Sequence, residues 1–132
     1  MNGAIADSAE LELGIRHALF RRELTLRYQP RVGLNDGRLM GLEALLRWQH
    51  PRFGLLPPAR FLSLLESSGL IHSVGEWVVR TVCAQLHAWQ QRYPVPDLTV
   101  TINLSPLQLE DGRLTEVVAN AIGDFGLDPG CL

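Results

Sequence analysis

The chain has no lysine; its twelve basic residues are all arginine. Chemistry that requires a lysine therefore cannot be completed within these 132 residues. An excess of either charge is missing too. The net charge is −2, which gives no broad attraction to nucleic acid or anionic lipid, so no nucleic acid partner is expected. Cysteine is scarce: Cys83 and Cys131 match no zinc or redox spacing and read as buried or free thiols. That usage fits a reducing, cytoplasmic setting. No apolar run approaches the ~20 residues of a membrane span, and the first residues do not resemble a signal peptide. An anchor elsewhere on a longer protein stays open. Repeats and low-complexity stretches are also lacking. What is present is an ordinary globular composition, 46% hydrophobic and 20% charged, able to bury one sizeable core.

Residues 1–7 are expected to fray. Behind them Leu11, Ile15, Ala18 and Leu19 recur at helical spacing, with Ser8 placed to cap, which predicts a helix over residues 8–22. Two strands are predicted next, over 25–32 and 39–48. Asn35, Asp36 and Gly37 between them are turn residues, so the pair should form an antiparallel hairpin. Pro57 and Pro58 open a helix that runs to Ser67, and Gly69 closes it. A longer helix spans about 71–91, with Val74, Trp77, Val78, Val82, Leu86 and Trp89 as its apolar stripe. Trp77 and Trp89 are thus core residues. Alternation predicts a third strand over 98–104. The last helix, over 112–125, puts Leu114, Val117, Val118, Ala121, Ile122 and Phe125 on one face and ends at Gly126. The alternation of later strands and helices points to an α/β architecture.

Parity sorts each strand into two faces. In the second strand Met40, Leu42, Ala44, Leu46 and Trp48 oppose Gly41, Glu43, Leu45 and Arg47. In the third, Leu98, Val100, Ile102 and Leu104 oppose Thr99, Thr101, Asn103 and Ser105. In the first, Thr25, Arg27, Gln29 and Arg31 share the polar side. Solvent could account for such faces, but Glu43 sits within an apolar run, where an unpaired buried charge is costly. Arg47 shares its face but lies ~13 Å along the strand, at ~3.3 Å per residue, too far for a direct pair. A ligand between them, or a metal at Glu43, is the sharper reading. Glu43 and Asn103 on neighbouring strands suit a hard cation such as magnesium or manganese, and an arginine suits a phosphate. His50, His72 and His87 share no face at ligand spacing, and Glu66 near a helix end reads as structural.

The run Glu43-Ala44-Leu45-Leu46-Arg47-Trp48 resembles the motif that names the EAL domain family. Tyr28-Gln29-Pro30 precedes it as in the family. His50-Pro51, Gly54, Pro57, Phe61, Glu66, Gly69-Leu70-Ile71, Gly75, Trp77-Val78 and Trp89-Gln90 follow at family intervals. Asn103-Leu104-Ser105 with Gln108, then Gly126-Leu127 and Pro129, complete a likeness over about residues 10–132. Only Leu65, where the family often has a smaller residue, looks like a packing change.

The resemblance implies a partial TIM-like (β/α) barrel with an antiparallel first strand, truncated after about three strands, and a site at the strands' C-terminal ends. It implies bacterial second-messenger signalling: hydrolysis of cyclic-di-GMP to pGpG with Mg2+ or Mn2+. By position Glu43 and Asn103 would be metal ligands pointing into one small volume. Gln29 and Arg47 would contact the ligand, Arg47 at a phosphate. Leu46 and Pro57 would line its pocket. The family's later metal-binding Glu, paired Asp, Lys, further Glu and Gln fall beyond Leu132. The chain is therefore expected to be the N-terminal half of such a domain and inactive alone. The alternative is a non-catalytic EAL receptor for cyclic-di-GMP or a protein-interaction module. The helix over 8–22 resembles the connector from an upstream GGDEF or sensor domain. Open strand edges predict self-association.

Overall fold

A computed structural model describes residues 2–103, 105–110 and 112–132, with the side chains of 2–6 and 109 left out. Helix α1 spans Asn2–Ala18. It covers residues 2–7, where fraying was expected, and stops short of the expected Arg22. Strands β1 (Leu24–Val32) and β2 (Leu39–His50) form the antiparallel hairpin that Asn35-Asp36-Gly37 foretells, with Gln29 opposite Glu43 and Thr25 opposite Arg47. At the turn the Arg38 N–H donates to Asp36 Oδ1 at 3.0 Å, and Gly37 takes φ +67°, which glycine adopts without strain.

A fourth strand, not expected from the sequence, is β3 (Gly54–Leu56), antiparallel to the end of β2. Three residues are too few to show alternation. A 3-10 turn (Pro58–Arg60) leads to α2 (Leu62–Ser68), closed by Gly69 at φ +78°. The long α3 (Ile71–Arg92) follows. Strand β4 (Val100–Ile102) is shorter than expected and pairs parallel with β2. Leu104, its expected last apolar position, lies outside the described residues. Two helices, α4 (Pro106–Leu109) and α5 (Arg113–Phe125), and a 3-10 turn (Pro129–Cys131) complete the chain.

The sheet is open, with β1 beside β2 and both β3 and β4 on the far edge of β2. Its apolar face packs against the helices, and α5 and α4 also pack on α3. Near α1 and α2 the core holds Leu11, Ile15, Trp48, Phe61, Leu65 and Val74; near α3 and α5 it holds Ala44, Val79, Val82, Leu86, Val100 and Ala121. Each such large side chain gains about 1.5–3 kcal/mol by leaving water. Trp77 and Trp89 are half-buried rather than fully inside, and Val79 and Cys83 take more central places. Both thiols are free and buried. Burial, with a smaller push from the Cys131 thiol, raises Cys83 to about 11 against the pull of Arg80.

Candidate functional site

The helices cover one face of β2, and the odd-numbered side chains project from the other. Antiparallel partners point the same way, so Gln29 stands beside Glu43. Parallel pairing sets Thr101 against Glu43 and brings Asn103, just past β4, onto the same side. Asn103 Nδ2 donates to Glu43 Oε1 at 3.0 Å. Glu43 and Asn103 thus meet, as expected. The other oxygen, Oε2, lies 3.2 Å from Arg31 Nη2.

The carboxylate is held between a donor on β1 and one just past β4, and its side chain is 24% exposed. The Asn103 hydrogen bond, then that of Arg31, keeps its carboxyl below the ordinary 4.5, outweighing desolvation. Arg31 is the partner that sequence reasoning missed. It was placed on the polar face, but the diagonal contact from β1 to β2 needs the register. Register follows from turn geometry, and here Asn35-Asp36-Gly37 carried the signal.

Arg47 does not reach Glu43. Its Nη1 donates to the carbonyl of Leu46 at 2.8 Å. That carbonyl faces a gap in the sheet. Strand β4 pairs with Leu42–Ala44 and β3 with Trp48–His50, leaving the far edge of β2 unpaired between them. A largely apolar cleft of about 250 Å³ opens there, lined among others by Leu45, Leu46, Pro58, Glu66, Asn103 and Gln108. Leu46 therefore lines a cavity, but from the helix-facing side, while Asn103 borders it from the polar side. Pro57 stands at the start of the 3-10 turn that carries Pro58, and its carbonyl accepts the Arg60 N–H. Ser105, assigned by parity to the polar strand face, is instead a buried helix cap.

The donors present are hard oxygens, the kind magnesium and manganese take. Glu43 can offer its carboxylate, and Asn103 its carbonyl once the amide turns over. Arg31 already compensates one carboxylate oxygen, and among the described residues no three His, Cys, Asp or Glu converge. The pair fits one side of an octahedral shell rather than a whole one.

The EAL domain family model matches residues 13–132. This chain belongs to the EAL domain family. It is 41% identical over 132 residues to the bifunctional diguanylate cyclase/cyclic di-GMP phosphodiesterase MucR of Pseudomonas aeruginosa, covering 100% of this chain and 19% of MucR. It is 36% identical over 129 residues to the oxygen sensor protein DosP of Escherichia coli, covering 97% of this chain and 16% of DosP. Among solved structures, the PaMucR phosphodiesterase in complex with c-di-GMP superposes at TM-score 0.88 with 42% identity, over 93% of this chain and 49% of that one. The chain thus spans under a fifth of these curated relatives' length and about half of the solved EAL chain. Its open sheet matches part of the EAL barrel, with the antiparallel β1 that the resemblance implied.

Proposed function

We propose that this EAL chain forms the N-terminal part of a cyclic-di-GMP phosphodiesterase site, hydrolysing c-di-GMP to pGpG in bacterial signalling. The contact between Asn103, just past β4, and Glu43 on β2 is the observation that carries the reading. Glu43 and, with its amide turned over, Asn103 would hold Mg2+ or Mn2+, whose Lewis acidity would activate water and neutralise phosphoryl charge. Gln29, beside Glu43, orients the ligand. Arg47 leaves the Leu46 carbonyl to pair with a phosphate, a stronger, charge-assisted bond. Leu46 lines the pocket for the rest of the ligand, and Pro57 anchors the turn that brings Pro58 to it. Arg31 and the Asn103 amide hold the Glu43 carboxyl below its ordinary 4.5, which extends its ionised range toward acid. An upstream GGDEF or sensor domain, joined through α1, and a cytoplasmic setting belong to the same proposal.

These 132 residues alone supply too few ligands for catalysis. The purified chain with manganese should give no pGpG, and turnover at whole-domain rates would contradict this. Joined to the second half of the MucR phosphodiesterase domain, it should hydrolyse c-di-GMP. Glu43→Gln or Asn103→Ala should then cut the rate by more than about tenfold, the loss typical even of partners behind a metal's ligands. A folded chimera that binds c-di-GMP without cleaving it would instead mark a receptor.

A further inference from the structure

Asn103 meets Glu43 from the chain leaving β4, and a buried polar lock lies two residues further on. Ser105 and Gln108 are each only 6% exposed. The Ser105 N–H donates to Gln108 Oε1 at 2.8 Å, and the Leu107 N–H donates to Ser105 Oγ at 3.4 Å. The Gln108 backbone N–H donates back to the Ser105 carbonyl at 2.9 Å. This is a reciprocal capping box, which satisfies the orphan donors at the start of α4.

Room for Gln108 comes from α3. A Cβ on residue 75 would stand 1.9 Å from Gln108 Nε2, well inside contact distance. Gly75 has no turn to make, because it lies inside a 22-residue helix. Glycine is a poor helix former there, and the side chain filling the space above it accounts for its presence.

We infer that Gly75 and Gln108 are positioning residues for Asn103: the Gln108 side chain, seated on Gly75, holds the Ser105 turn that sets where the Asn103 carboxamide meets Glu43. Neither residue touches reacting atoms. The inference rests on the proposed Glu43–Asn103 site.

Nitrogen-15 NMR of the 132-residue chain reads the Asn103 side-chain amide pair directly. Glu43→Gln should move that pair, marking the contact. Gln108→Ala and Gly75→Ala should each move it in the same direction. Gly75→Ala should still fold, because the nearest atom it meets is the far end of the Gln108 side chain rather than backbone. In the double variant the pair should stay where Gln108→Ala alone puts it, since the space above residue 75 matters only when Gln108 occupies it. Gln108→Glu keeps the capping oxygen and should leave the pair in place. The inference is overturned if Gln108→Ala and Gly75→Ala, with the remaining amide spectrum native, leave Asn103 unmoved, or if the double variant moves it further. An Asn103 pair indifferent to Glu43→Gln would sink the contact and the functional reading together. An inactive chimera with these shifts intact would sink the functional reading alone.

Discussion

At the residue scale, Glu43 is where the sheet's polarity becomes chemistry. An isolated carboxylate in an apolar run would be costly, and two donors, one on β1 and one just past β4, remove that cost. The same donors make it acid-sensitive. Its folded pKa is depressed, so its contribution to stability is present above the unfolded value and is lost as pH falls through the folded one. Thermal melts below about pH 4.5 should therefore steepen with acid more in the wild-type chain than in Glu43→Gln. Equal slopes would deny that Arg31 and Asn103 hold the charge. Arg31→Gln should behave midway, because the Asn103 hydrogen bond remains.

At the element scale, α1 docks on the sheet through Leu11, Ile15 and Ala18, with Arg52 paired to Glu10 and Asp7. Gly14 sets the closeness of that contact: an added Cβ would lie 3.1 Å from Trp48 Cζ2. Gly14→Ala sets this tight contact against a helix-propensity gain of about 1 kcal/mol, and should change stability little. Gly14→Val adds bulk without that gain and should cost about 1–3 kcal/mol in denaturant unfolding, with a shift in tryptophan fluorescence. A neutral Gly14→Val would mean that α1 is not seated on Trp48.

Much of this element order was legible. The hairpin followed from Asn35-Asp36-Gly37 and the helix faces from spacing; parity put Glu43 and Asn103 on polar strand faces, and the family resemblance implied that they converge. What stayed hidden was either short or relational. Strand β3 has three residues and no period. The Arg31 contact depends on a diagonal across two strands. The Ser105 cap overrides parity because Pro106 starts a helix there. The gap between β3 and β4, which opens the cleft, exists only once both have found the same edge of β2.

At the scale of the whole molecule, the sheet is open and its hairpin end exposes four large apolar side chains beside Asn35, Asp36 and Arg38. Val32 is 57%, Leu34 103%, Leu39 51% and Met40 68% exposed. Pro30 and the arginines on β1 guard that edge against strand addition, so the hairpin end is the better contact. We propose that the isolated chain self-associates there. Light scattering should show species larger than a monomer, reduced by Leu34→Ser with Met40→Gln. A stable monomer that unfolds cooperatively would contradict this.

The central claim is that Glu43 and Asn103 share one cation. Paramagnetic broadening by substoichiometric Mn2+ on the nitrogen-15-labelled chain tests it most directly. The account predicts that signals of residues 42–44 and 102–103 broaden first and that Glu43→Gln abolishes the effect. Broadening centred elsewhere, or unchanged in Glu43→Gln, would contradict it.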